Sequence, residues 1–151
     1  MSVRLAEVTD QPIDPTRVQG LVASASSGAL CLFVGTVRDN DLGAEGEVVV
    51  LDYTCHPAAG ALIGQIVAAQ AAVLDPEGQC DIAAVHRIGH LLVGEVAFVA
   101  AVASPHRQLA FQLCAQVVDA VKEQLPIWKQ QFEADGRSTW TGLDLPDGDA
   151  K

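Results

Sequence analysis

The segment Val121–Lys129, VKEQLPIWK, joins the longest predicted helix of the chain to a predicted strand. Proline has no backbone N–H to donate inside a helix, and it disfavours helical geometry at the residue before it. Pro126 therefore ends the helix near Gln124 and predicts extended backbone after it. The segment also holds Lys122 and Lys129, two of only three lysines in 151 residues. Two secondary-structure elements and two scarce cations meet in this one stretch.

The helix that ends here is predicted to begin at Ser104-Pro105, with Ser104 as N-cap and Pro105 in the first turn. His106 and Arg107 then lie in the first turn, where backbone N–H groups are free and the helix dipole is positive. With the two basic side chains added, this helix end fits an anion such as phosphate or carboxylate. A capped helix start with a solvated arginine, which binds nothing, explains the same residues equally well.

The rest of the chain contains strands and helices without an internal repeat or a linker, which predicts one α+β domain over residues 1–151, with a flexible tail from about residue 144. Asp14 and Pro15 predict the N-cap and first turn of a helix that ends near Ser24. A second helix is predicted over residues 57–74, with Leu62, Ile66, Ala69 and Val73 spaced to share one face. Strands are predicted over residues 3–8, 28–37, 48–53, 81–87, 90–93, 95–103, 126–132 and 138–143.

Composition and charge exclude several function classes. The net charge of −10 and the pI near 4.5 argue against nucleic acid and against an anionic membrane surface. We find no apolar run of membrane-spanning length and no secretion signal, so the expected location is the cytoplasm. The four cysteines form no C-x-x-C pair and are expected to be reduced core residues. A metal site built from Cys55, His56, His86 and His90 lacks a recognisable spacing, so no metal or other cofactor is predicted.

Three further basic side chains, those of Lys122, Lys129 and Arg38, could serve a site. Lys122 lies at a helix C-terminus, where the dipole favours a cation whatever its function. A sharp turn at Pro126 would bring Lys122 close to Lys129, and two clustered ammonium groups either lower each other's pKa or hold an anion between them. Arg38 ends the predicted strand 28–37 at the mouth of a polar loop, a common place for functional residues. A solvated surface arginine is the simpler interpretation of Arg38 alone.

One distance limits how these cations can act together. Arg107 and Lys122 are 15 residues apart on the predicted helix, which corresponds to about 22 Å at 1.5 Å per residue. A small ligand cannot bridge that length within one helix. The two groups therefore form separate sites, or they meet across a dimer interface that pairs one helix start with the other helix end. We expect the two groups to meet across such a dimer interface.

Taken together, these segments resemble a known family. The stretches are FVGTVRD at 33–39, LDYTCHP at 51–57, HRIGHLLVGE at 86–95, VASPHRQLAF at 102–111, VDAVKEQLPIWK at 118–129, and a late DG-x-x-x-W ending at Trp140. In this order they resemble the large, catalytic subunit of molybdopterin synthase, the MoaE family, from about residue 28 to residue 140. Departures include Gln131, where many relatives carry an acidic residue, and Asp144, where some carry arginine.

The resemblance implies an α/β hammerhead-type domain with an additional antiparallel sheet. It implies a sulfurtransferase that adds two sulfurs to cyclic pyranopterin monophosphate, making the dithiolene of molybdopterin. The sulfur would arrive as the C-terminal Gly-Gly thiocarboxylate of a small ubiquitin-like carrier of the MoaD type. The assembly would be a heterotetramer, with a central homodimer of catalytic subunits and one carrier at each end.

The resemblance also implies roles for individual residues. Lys122 would be the central catalytic residue, beside the carrier's terminal glycine, and Lys129 would position substrate or intermediate. Arg38, His106 and Arg107 would bind the pterin and its phosphate, the last two from the second subunit. A non-catalytic paralogue that binds a ubiquitin-like tail or a phosphorylated ligand is the alternative.

Overall fold

The computed structural model describes residues 2–39 and 48–142. Most of the polar loop that was predicted to begin at Arg38 lies outside these residues, and so does the tail predicted from about residue 144. No helix within the described part of the chain is long and apolar enough to cross a membrane. In chain order the elements are β1 (Ser2–Thr9), α1 (Pro15–Val22), β2 (Ala29–Thr36), β3 (Val48–Cys55), α2 (Ala59–Leu74), β4 (Asp81–Arg87), β5 (Gly89–Leu92), β6 (Val96–Ser104), α3 (Arg107–Gln124), β7 (Ile127–Glu133) and β8 (Ser138–Gly142).

The strands form two separate sheets. The first has the order β1-β4-β6-β2, in which β1 and β4 are parallel and the other pairs are antiparallel. The second has the order β5-β3-β7-β8 and is antiparallel throughout. Mixed helices and strands with a second, antiparallel sheet confirm the predicted α+β class.

The first sheet is covered by helices on both faces. α2 and α3 cover one face and α1 covers the other. Side chains of β6 alternate between these faces, as strand geometry requires. Those on the α2 and α3 side are Phe98, Ala100 and Val102, and those on the α1 side are Val99, Ala101 and Ala103. Small side chains on β6 let the helices approach the sheet closely, so β6 is the centre of the core.

The buried face of α2 differs from the face that the spacing predicted. Val73 belongs to the predicted face but is 76% exposed, so the prediction is wrong for the last turns of the helix. The helix is apolar on nearly every side, and its sequence therefore does not mark which face is buried. It also begins at Ala59 rather than at Pro57. Its buried residues are Ala59, Ile63, Ile66, Val67 and Ala71.

The start of α3 also needs correction. The helix begins at Arg107 with His106 as its N-cap, two residues later than predicted. Ser104 instead ends β6, where it pairs with Ala29 and is fully buried. Its hydroxyl oxygen accepts a hydrogen bond from the His106 N–H at 3.3 Å, without capping the helix. Strand pairing thus outweighs the local capping signal at Ser104-Pro105.

The predictions for the other end of α3 and for α1 are confirmed. Leu125 has extended geometry, with φ −74° and ψ 124°, and its N–H donates to the Val121 carbonyl at 3.0 Å. The Pro126 carbonyl then accepts the His56 N–H at 3.0 Å, where β3 ends. The chain therefore passes directly from a helix on the first sheet into a strand of the second. At α1, the Asp14 carboxylate accepts the Thr16 N–H at 3.0 Å, as an N-cap does.

The face of α2 can be tested with two identical substitutions in one helix. We expect Val67→Ala to lower the free energy of unfolding by roughly 1.5–3 kcal/mol, because Val67 is fully buried and its methyl groups leave a cavity. We expect Val73→Ala to leave stability unchanged or raise it by up to about 0.5 kcal/mol, because alanine is the better helix former. Urea unfolding measures both. Equal losses for the two variants would contradict the observed face.

Candidate active site

Lys122 lies in the last turn of α3, with its side chain exposed. The flanking Val121 is buried in the core, so the helix is held firmly at this end. On the sheet below, β4 ends with His86 and Arg87. Burial first, and the charge of Lys122 in addition, lower the pKa of the His86 imidazole. The lysine at the end of the helix is thus near enough for its charge to act on a histidine at the end of a strand.

His86 is held neutral by its surroundings. Its pKa is lowered to about 4, first by burial and further by the Lys122 charge, while a hydrogen bond to the Arg87 carbonyl opposes the shift. That bond joins Nδ1 to the Arg87 carbonyl oxygen at 2.8 Å. Because a carbonyl oxygen only accepts, Nδ1 carries the proton of the neutral ring and Nε2 keeps its lone pair. The imidazole can therefore accept a hydrogen bond at Nε2 without adding positive charge.

Tyr53 connects His86 to the second lysine. The ring of His86 stacks on Phe98 with centroids 5.4 Å apart, and Tyr53 meets His86 edge-on at 5.3 Å. Tyr53 on β3 lies opposite Lys129 on β7. Directly opposed residues of antiparallel strands project from the same face of the sheet. Lys129 is half-buried and opposite Tyr53, so Lys129, Tyr53 and His86 lie in one neighbourhood, where the charge of Lys122 also acts.

Both lysines are thus related to one His–Tyr pair, Lys122 through the effect of its charge on His86 and Lys129 through its register opposite Tyr53. Sequence reasoning considered His86 only as a metal ligand and did not single out Tyr53. The signal available was local, since His86 opens the stretch HRIGHLLVGE and Tyr53 lies in LDYTCHP. The pairing of β3 with β7 and the packing of β3 against β4 are long-range, and no local pattern gave them.

Arg38 lies two residues beyond β2 and is exposed. Val37 before it is anchored on both sides, because its N–H donates to the Glu95 carbonyl at 2.9 Å and its carbonyl accepts the Gly94 N–H at 2.8 Å. Val37 belongs to the buried cluster against which Tyr53 packs. The structure therefore brings Arg38 to the same junction of the two sheets as Tyr53.

His106 and Arg107 lie at the opposite end of α3 and are exposed. They line an open groove of about 520 Å³ together with Gln108 and Phe111. His106 occupies the N-cap position with extended backbone, and its side chain makes no capping bond. Within one chain the structure does not bring these two residues to the lysines, since the full length of the helix separates them.

The face of β7 that carries Lys129 also carries buried polar residues that sequence reasoning missed. Gln131 is fully buried and Glu133 is 5% exposed. Glu133 pairs with Arg137 at 3.5 Å. A neutral amide at Gln131 avoids placing a second buried carboxylate two residues from Glu133, which would be costly without a further cation. Gln131 is therefore compatible with this environment, although many relatives carry an acidic residue there.

The described residues contain no ligand set for the metal site that was considered as an alternative. His90 Nδ1 is 2.7 Å from an Asp52 carboxylate oxygen, and His56 Nδ1 accepts the Ala58 N–H at 3.0 Å. His86 is half-buried and stacks on Phe98. Over residues 2–39 and 48–142 no three histidine, cysteine or acidic side chains are grouped as metal ligands. All four cysteines are free, with Cys80 and Cys114 buried and Cys31 and Cys55 half-buried.

Comparison with known proteins gives a consistent result. The family model described as MoaE protein matches residues 8–124. The molybdopterin synthase catalytic subunit of Bacillus subtilis is 35% identical over 141 residues, covering 92% of this chain and 85% of the relative.

Solved structures agree with the sequence comparison. Molybdopterin synthase from Staphylococcus aureus superposes with a TM-score of 0.80 at 29% identity, covering 91% of this chain and 96% of that one. A protein-protein complex of subunits 1 and 2 of the molybdopterin-converting factor from Helicobacter pylori matches in fold, with a TM-score of 0.67 at 21% identity over 87% of this chain and 86% of that one. With the family model spanning most of the chain and relatives matching nearly its full length, this protein belongs to the MoaE family.

Proposed function

We propose that this protein is the catalytic subunit of a molybdopterin synthase. It would transfer sulfur from the C-terminal thiocarboxylate of a small carrier to cyclic pyranopterin monophosphate, forming the molybdopterin dithiolene. The observation that carries the proposal is that the charge of Lys122 acts on His86 while Lys129 lies opposite Tyr53, the ring neighbour of His86, in a chain of the MoaE family. The activity named for the Bacillus subtilis relative supports it.

The reaction explains why an acidic protein gathers cations at this junction. The thiocarboxylate is an anion and the pterin carries a phosphate, so the two reactants repel each other. Fixed cations offset that repulsion and stabilise charge that develops during the reaction. Lys122 would lie beside the carrier's terminal glycine, where it moves a proton or stabilises the acyl intermediate. Lys129, half-buried next to Tyr53, would position the substrate or the intermediate.

The neutral state of His86 serves the same purpose. A protonated imidazole beside Lys122 would repel the ammonium group, whereas the neutral ring offers Nε2 as an acceptor. Arg38 extends the cationic surface at the same sheet junction and would bind the pterin. These side chains come from α3, β7, β4 and the end of β2, so the fold must be complete before the site exists.

The carrier is expected to be a MoaD-type protein ending in Gly-Gly. Such a tail has no side chains and can enter a narrow channel to reach Lys122. The Helicobacter pylori structure, a complex of two subunits, supports a two-component enzyme.

The second subunit would complete the phosphate site. His106 and Arg107 lie one helix length, about 22 Å, from Lys122, which is too far for a small substrate to touch both ends. A two-fold dimer that sets the start of one α3 near the end of the other would bring His106 and Arg107 of one chain to the lysines of its partner. Both residues are exposed, as such a role requires.

Lys122→Ala should fold normally and lose at least about 100-fold in molybdopterin formation, because a preorganised charge at the reacting atoms is removed. The measurement is dithiolene product formed from the precursor and a thiocarboxylated carrier. Glu123→Ala, at the exposed neighbouring position, should keep the wild-type rate. Near wild-type turnover by the Lys122 variant would refute its assignment.

The same assay separates the enzyme from a non-catalytic paralogue. Wild-type protein should convert the precursor to product when the thiocarboxylated carrier is present. Binding of the carrier tail without any dithiolene product would favour the paralogue.

Mixed dimers test whether the site is shared between subunits. We expect Lys122→Ala and Arg107→Ala each to be strongly impaired alone. A dimer with one chain of each kind, isolated with two different affinity tags, should regain about half of the wild-type activity, because one of its two shared sites is then intact. Mixed dimers as inactive as both parents would place the complete site within one chain. Wild-type rates for Arg107→Ala would remove Arg107 from the site.

The proximity of Lys122 to His86 can be measured without any assay of activity. Removing the Lys122 charge makes the protonated imidazole less unfavourable, so Lys122→Ala should raise the pKa of His86 from about 4. The pKa should stay below its ordinary value, because burial remains the main cause of the shift. NMR titration of the His86 ring measures this, and Arg17→Ala, at an exposed position of α1 on the other face of the first sheet, is the control that should leave it unchanged. An unaltered His86 pKa in the Lys122 variant would contradict the proposed convergence.

A further inference from the structure

Two cysteines line a groove between β2 and α3, apart from the two lysines. Cys31 is on β2, the edge strand of the first sheet among the described strands, and Cys114 is in the middle of α3. Both line an open, largely apolar groove of about 500 Å³. Phe111 lines the same groove and is 61% exposed. The groove gives small molecules access to the sulfur atoms from the surface.

The two thiols lie in the same part of the core. Cys114 is 2% exposed, and its thiol points toward the Ala100 carbonyl at 4.0 Å. Cys31 is half-buried, packs against the buried cluster that contains Cys114, and is near enough to act on the Cys114 thiol. Neither residue has a part in the function proposed above.

We propose that Cys31 and Cys114 form a reversible disulfide that links β2 to α3 when the protein meets a small-molecule disulfide. Two thiols that line one groove and belong to one packed cluster can reach bonding distance by side-chain rotation and a short approach. The proposal does not depend on the sulfurtransferase function, since it concerns the cysteines and not the lysine site.

The more accessible thiol reacts first. The Cys31 thiol loses its proton to solvent, and its thiolate attacks one sulfur of the reagent. One reagent thiolate leaves, and Cys31 carries a mixed disulfide. Cys114 then loses its proton and attacks the Sγ of Cys31, which expels the second reagent thiolate. The two cysteines are oxidised by two electrons, and the small disulfide is reduced to two thiols that take up the two protons.

Burial controls the second step. Desolvation, with a smaller contribution from Cys31, raises the pKa of Cys114 to about 12. Because only the thiolate is nucleophilic, ring closure is slow at neutral pH and its rate should rise about tenfold for each pH unit below that value. The mixed disulfide on Cys31 should therefore accumulate before the cross-link appears.

The cross-link would join two elements that carry candidate site residues. β2 ends two residues before Arg38, and α3 continues from Cys114 to Lys122. Eight helical residues separate Cys114 from Lys122, which is about 12 Å. Oxidation would thus restrain the relative motion of the strand that leads to Arg38 and the helix that presents Lys122.

Peptide mapping tests the proposal on the full chain. The protein is incubated with oxidised glutathione at several values of pH, alkylated and digested with trypsin. Cys31 falls in peptide 18–38 and Cys114 in peptide 108–122, while Cys55 and Cys80 share peptide 39–87. The expected product is a reducible cross-link between 18–38 and 108–122 that forms faster at higher pH. Cys114→Ala should stop at a glutathione adduct on Cys31, and Cys55→Ala should cross-link as wild type does.

Two results would overturn the proposal. One is a wild-type protein whose Cys31 adduct never resolves at any pH, as in Cys114→Ala. The other is a cross-link that joins peptide 39–87 to either of the two peptides instead. If Cys114→Ala does not fold, Cys31→Ala supplies the comparison, because it should leave Cys114 reduced and form no cross-link.

Discussion

The constraint on which the rest of the structure depends is Pro126. It ends α3 at Gln124, leaves Leu125 with extended backbone, and directs the chain from the first sheet into the second. Its carbonyl accepts a hydrogen bond from the His56 N–H, which joins the end of β3 to the start of β7. The β3–β7 register follows from that tie and places Lys129 opposite Tyr53. A single ring that cannot join a helix therefore fixes where both lysines lie.

Burial and charge act in the same direction at the junction of the sheets. A histidine beside a lysine would become costly if both were charged, and burial of His86 removes that conflict by keeping the ring neutral. The local positive charge then resides on lysine and arginine side chains at the surface, in a protein whose net charge is −10. A local group of cations on a molecule of negative net charge would favour the binding of anions there.

Local signals in the sequence predicted the helices and strands well, but they predicted poorly which other elements those helices and strands contact. The strands and helices fall close to their predicted bounds, because proline, glycine and cap residues mark where they end. The predicted start of α3 was wrong because Ser104 pairs with Ala29, a residue 75 positions earlier, in the first sheet. The predicted buried face of α2 was wrong because a helix that is apolar on nearly every side has no periodic pattern to show which face is buried. The His86–Tyr53 pair could not be predicted, since it depends on how two sheets meet. The length of α3, by contrast, was enough to separate His106 and Arg107 from the lysines.

The order of strands in the first sheet has a consequence for how the chain folds. β2 is hydrogen-bonded only to β6 among the described strands, and β1 pairs only with β4. Every pairing in this sheet joins strands that are not consecutive in the chain. Such non-local contacts slow folding, because long loops must close before they gain stability. During synthesis, the apolar strand β2 cannot pair until its partner β6, which ends at residue 104, has left the ribosome. The nascent chain is therefore most prone to aggregate in that interval, and the lysine site, which needs α3 and β7, is assembled last.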